Sequence, residues 1–66
     1  MSNAIDGYVK GKLAGMNHCR ALQHNPKAKP PANPFPTSDG LAFVEWDRGF
    51  SEGFAQGLAG AARKAA

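Results

Sequence analysis

Large apolar side chains recur along two stretches of this chain at the three- and four-residue steps of a helix, without the alternating β-branched runs of a strand. In the second stretch Phe43, Trp46, Phe50, Phe54 and Leu58 line one face and form a nearly continuous aromatic stripe. In the first, Ile5, Val9, Leu13 and Met16 do the same with thinner side chains, and Tyr8 sits beside them. The two stripes are expected to pack on each other. Between them, all five prolines fall in residues 26–36, where missing donors and restricted dihedrals exclude helix. The pattern predicts an all-α fold, a two-helix hairpin joined by a proline-rich extended loop, as a single small domain over 1–66. Helix is expected at about 3–22, loop at about 24–37 and helix at about 39–62. Asn3 is the expected cap of the first helix, and Ser38 or Asp39 of the second, which should fray near Arg63.

An internal repeat overlies this periodicity. Gly7-Tyr8, Gly11 and Gly15 follow the same template as Gly49-Phe50, Gly53 and Gly57. Each glycine costs about 1 kcal/mol relative to alanine inside a helix, so six of them at four-residue spacing need a compensating reason. Close approach supplies one, since each helix then carries a smooth groove for an aromatic ring or another backbone.

Length makes packing scarce. Of 66 residues 42% count as hydrophobic, but alanine supplies much of that fraction, and a two-helix unit buries a single seam. Homodimerisation or folding against a partner is the usual remedy. The one cysteine, Cys19, cannot form an internal disulfide, which points to a reducing cytoplasm. No apolar run approaches the roughly 20 residues of a membrane span, so no membrane partner is expected.

The net charge of +3 is unevenly placed. Residues 1–33 carry Lys10, Lys12, Arg20, Lys27 and Lys29 against Asp6 alone, whereas residues 34–66 carry Arg48, Arg63 and Lys64 against Asp39, Glu45, Asp47 and Glu52. A basic half suits an anionic partner such as RNA, because phosphate neutralisation supplies most sequence-independent affinity. The five N-terminal cations, with Phe35, are the candidate RNA-binding residues, and Tyr8 is a second candidate stacking aromatic. Glu45, Arg48 and Glu52 sit at helical ion-pairing distances and read as a solvated salt-bridged face.

Catalytic chemistry has no foothold in the pattern. His18, Cys19 and His24 are the only cluster of soft ligands, and a zinc tetrahedron lacks its fourth member, so no metal or other cofactor is expected. No nucleophile elbow, Walker-type lysine or dinucleotide fingerprint occurs, and the glycines fall at helical spacing instead of in a phosphate loop. A non-enzymatic role is the expectation.

With Asn33-Pro34-Phe35 in the loop and Trp46-Asp47-Arg48-Gly49-Phe50-Ser51-Glu52-Gly53 on the second helix, the chain resembles the ribosome modulation factor family. Gly7-Tyr8 and Gly11 match that family's first-helix signature, and the resemblance runs over roughly residues 5–57. It implies a cytoplasmic bacterial helix-loop-helix protein that binds the small ribosomal subunit near the end of its ribosomal RNA, favours inactive ribosome dimers and pauses translation. Asn33 stands where ribosome-binding members carry Cys. A relative of similar pattern is described as a fluoroquinolone-modifying enzyme.

The resulting expectation is a ribosome-binding module in which Gly7, Tyr8, Gly11, Asn33, Pro34, Trp46, Gly49, Phe50, Gly53 and Phe54 build the fold and its interfaces. The alternative is a small phage- or plasmid-type regulator that docks on a host protein through its aromatic and glycine helix face. A fluoroquinolone-modifying activity comes third.

Overall fold

The computed structural model describes residues 3–65. Two helices, α1 (Asn3–His24) and α2 (Gly40–Ala65), are joined by the proline-rich loop, with one 3-10 turn at Thr37–Asp39. The fold is all-α, as the periodicity predicts. Helix α1 runs two residues past Leu22, because the first residue barred from it by a proline is Asn25, which still donates its amide to the Ala21 carbonyl at 2.8 Å. Ahead of α2 the chain turns through Thr37–Asp39, with the Asp39 amide bonded to the Pro36 carbonyl at 2.9 Å, so it enters the helix already coiled. Among the described residues no helix is long and apolar enough to cross a membrane.

The helices run side by side in the same direction. Gly7 lies against Ala42, Gly11 against Trp46, Gly15 against Phe50 and Phe54, and Cys19 against Gly57, so numbering rises together on both. A parallel pair obliges the connector to travel back along the whole seam. From His24 to the level of Gly7 is about 26 Å at 1.5 Å per helical residue. The twelve residues 25–36 cover about 37 Å when extended as polyproline II. A tight turn of a few residues would have forced an antiparallel pair.

The face that α1 buries corrects one expectation. Ile5, Val9, Leu13 and Met16 do not meet the aromatic stripe; they are 66, 48, 55 and 38% exposed. The interface belongs to the glycines. A Cβ placed on Gly11 would overlap the Trp46 carbonyl oxygen, and one on Gly15 that of Phe50. Reciprocally, a Cβ on Gly49 would overlap the Tyr8 carbonyl, and one on Gly53 that of Lys12. Backbone meets backbone from both sides, and a row of branched aliphatics in this position would hold the helices apart at the usual 8–10 Å or so. The buried hydrophobic residues among those described are Cys19, Ala42 and Trp46, only one of them large.

Beside the seam the aromatics stack in sequence. The Trp46 and Phe50 rings lie 5.2 Å apart between centroids and those of Phe50 and Phe54 6.4 Å apart, with His18 of α1 at 5.9 and 5.7 Å from the last two. Trp46 is buried, Phe43, Phe50 and Phe54 are half-buried, and Leu58 at the end of the stripe is exposed.

This packing sets opposite signs for one substitution. Alanine in place of glycine normally stabilises a helix by up to about 1 kcal/mol, and Gly60, which has nothing within 4 Å of a added Cβ, should follow that rule. Gly11→Ala should instead destabilise by about 2 kcal/mol or more through overpacking. Thermal unfolding followed by circular dichroism compares the two; a Gly11→Ala variant as stable as the parent would refute the backbone-contact seam.

Candidate functional site

The loop is fastened to α2 by one side chain. Asn33 donates from Nδ2 to the Phe43 carbonyl at 2.9 Å and to Asp47 Oδ1 at 3.3 Å, while its Oδ1 accepts the Phe35 amide at 3.0 Å. The last bond is an Asx turn, the local geometry that asparagine side chains favour, and Pro34 sits inside it with φ already restricted. At the far end of the loop Asn25 makes a second turn, accepting the Lys27 amide on Oδ1 at 3.1 Å and the Ala28 amide on its carbonyl at 2.9 Å. Both ends are thereby tied, and the extended stretch between them lies along α1.

That side of the molecule carries three of the five candidate cations. Lys10 holds its ammonium 5.7 Å from the centroid of the half-buried Phe35 ring and 3.1 Å from Asp6 Oδ2. Lys29 and Pro31 form one wall of a shallow cleft of about 360 Å³ whose floor is Ala14, Asn17, His18 and Ala21 of α1. Lys27 stands exposed at the turn before it. The side therefore offers ammonium groups, a half-buried aromatic ring and the Asn17 amide of the cleft, a set suited to phosphates and unstacked bases.

The other two cations stand elsewhere. Lys12, two residues from Lys10 and so on a different side of the helix, adds its positive charge to the surroundings of Glu52. Arg20 lines a separate groove of about 240 Å³ with Met16, Cys19, Gln23 and, from α2, Gln56 and Gly57. The five cations are split among three sides of the molecule.

Opposite the loop, a polar network bridges the helices. Tyr8 donates its hydroxyl to Glu52 Oε1 at 2.6 Å, and Arg48 donates from Nε to Glu52 Oε2 at 3.2 Å and from Nη1 to Glu45 Oε1 at 3.3 Å. The guanidinium also lies over the Tyr8 ring, 5.3 Å from its centroid. The salt-bridged face read from the spacing of Glu45, Arg48 and Glu52 is present. The tyrosine that completes it from α1 has no local sequence signal. Its hydrogen bond holds the Glu52 carboxyl below the usual carboxylate range, helped by the bond from Arg48, and the same bond raises the Tyr8 hydroxyl.

The soft ligands part company. The ring of His18 stacks on Phe54, while Cys19 is 2% exposed and packed against Gly57. Among the described residues no group of three or more His, Cys, Asp and Glu stands close enough to hold a metal ion. The glycines Gly7, Gly11, Gly49 and Gly53 and the aromatics Trp46, Phe50 and Phe54 all belong to the seam and its flank. No protein family, curated protein or solved structure matches the chain.

Two consequences can be measured. Because Glu52 is more acidic in the folded chain than its ordinary value of 4.5, its stabilisation is complete above that value and lost as pH falls through the lowered one; Glu52→Gln should flatten this acid-side decline. Tyr8, raised above its usual 10.0, stabilises below that pH and loses the contribution as pH rises through the raised value, so Tyr8→Phe should flatten the alkaline side. Denaturant unfolding across pH tests both. Separately, Asn33→Ala removes two anchoring bonds to α2, at about 1 kcal/mol each, and should speed tryptic cleavage after Lys27, the loop lysine not followed by proline. Unchanged cleavage would mean that the loop is held by other contacts.

Proposed function

We propose that the protein is a non-catalytic, ribosome-associated modulator that binds small-subunit ribosomal RNA and pauses translation. The observation that carries this reading is the Asn33 anchor, which presents Lys27, Lys29 and the Lys10–Phe35 pair along one side of the molecule. It sits within the same Asn33-Pro34-Phe35 element on which the resemblance to the ribosome modulation factor family rests. The ammonium groups would meet phosphates. Phe35 and the cleft beside Lys29 would take unstacked bases of a single-stranded RNA end, whose recognition depends on such aromatic and polar surfaces. Lys12 and Arg20 have no part in this face.

The alternative, docking on a host protein through the aromatic and glycine stripe, would have to use the half-buried Phe43, Phe50 and Phe54 and the exposed Leu58. Gly7, Gly11, Gly15, Gly49 and Gly53 are buried between the chain's own helices, and Trp46 is only 5% exposed.

Co-sedimentation with bacterial ribosomes through sucrose gradients at low and high salt is the test. The protein should migrate with small subunits or ribosome dimers at low salt and be released at high salt. Each phosphate contact contributes a slope of about 0.7–0.9 in log affinity against log salt, so changing Lys10, Lys27 and Lys29 together to Gln should reduce the slope by about 2–3. Retention at the top of the gradient in low salt, or a triple variant with parental salt dependence, would overturn the proposal.

A further inference from the structure

Along the outer face of α1, Asp6, Val9, Leu13, Met16 and Arg20 follow one another at steps of three, four, three and four, the spacing of a coiled-coil seam. All five are exposed, and the three apolar members are 48, 55 and 38% exposed. This row lies on the far side of the helix from Gly7, Gly11 and Gly15, and among the described residues α2 reaches only its edge, where Met16 and Arg20 line a groove with Gln56 and Gly57. We infer that it is the contact surface for a second copy of this chain, with the two α1 helices antiparallel about Leu13.

Charge placement selects that occupant and that direction. Asp6 and Arg20 each stand seven residues from Leu13, on opposite sides of it, and seven residues are two helical turns. In an antiparallel pair centred on Leu13, Asp6 of each copy faces Arg20 of the other, and Val9 of one lies beside Met16 of the other. A parallel pair would set Asp6 against Asp6 and Arg20 against Arg20, which is repulsive at both ends. The self-complementarity required of a two-fold interface is thus written along one helix. Asp6 is already paired with Lys10, but both side chains are more than half exposed, so that pair yields at little cost. Apolar cover is also what the chain lacks, with one large side chain buried among the described residues. The assembly would place α1 and its partner's α1 at the centre and both α2 helices outside. It meets the Lys10, Lys27, Lys29 and Phe35 face only at the Asp6–Lys10 pair, and because self-association is measured without RNA and RNA binding by co-sedimentation, the two proposals fail separately.

Sedimentation equilibrium of the full chain from micromolar to millimolar concentration tests it. The parent should show a monomer–dimer equilibrium, and Leu13→Asp should abolish it with helicity retained, since Leu13 is outside the intramolecular seam. Asp6→Arg and Arg20→Asp should each raise the dimer dissociation constant by about tenfold through two like-charge contacts. Mixing these two variants should restore association, because every facing pair then becomes Arg with Asp; an unfolded variant could not be rescued so. A parent that stays monomeric at millimolar concentration would overturn the inference, as would charge variants that dimerise like the parent or a mixture that shows no recovery.

Discussion

Backbone contact between two parallel helices is the constraint from which the rest of the molecule follows. Six glycines at four-residue spacing remove the side chains that ordinarily separate helices, and the carbonyls of Trp46, Phe50, Tyr8 and Lys12 occupy the space. Dispersion across such a contact compensates glycine's helical cost because every atom in the seam has near neighbours on both sides. The same contact fixes direction and register, since a glycine groove accepts only the turn that fits it. Once the pair is parallel, the chain must return along its own length, and only an extended connector of the length found here can do so. The prolines are therefore part of the helix packing: they keep the return strand out of helix and lower the entropy of the unfolded connector.

Closing the two sides of the seam took different chemistry. On one side His18 slots against Phe50 and Phe54, and the loop lies nearby, held by Asn33. On the other, Tyr8 reaches Glu52, and Arg48 ties that carboxylate to Glu45. Tyr8 and Phe50 are equivalent in the Gly-aromatic repeat, yet one ends in a polar network and the other in an aromatic stack. The hydroxyl decides this: Tyr8 has a donor that must be satisfied where it is partly buried, and the neighbouring helix offers a carboxylate there.

Two helices and a proline-rich connector were legible in the sequence because periodicity, glycine spacing and proline placement each speak for local structure. The buried face of α1 was not. Hydrophobic periodicity weights side chains by size, so Ile5, Val9, Leu13 and Met16 outvoted Gly7, Gly11 and Gly15, although the repeated template held the correct signal. Parallel direction followed from a length that could be read but not interpreted without the register between Gly11 and Trp46. Among the candidate site residues, Asn33 and Phe35 meet in one turn that is bonded to α2, while the cations are dispersed. Three cations share one side and two do not, and for Lys10 and Lys12 the reason is simple: they are two apart on a helix, which puts them on different sides whatever the fold.

A core made of backbone leaves large aliphatic residues without an internal task. In most small domains Val9, Leu13 and Met16 would be consumed in filling the space between helices; here glycine has already closed that space, and they stand outside. Their arrangement between Asp6 and Arg20 is more ordered than leftover surface requires, because scattered exposed apolar residues carry no heptad spacing and no charge of opposite sign at the two ends. The glycine seam thus does two things at once. It holds the helix pair together with almost no hydrophobic core among the described residues, and it leaves the aliphatic row on the opposite face of α1 exposed.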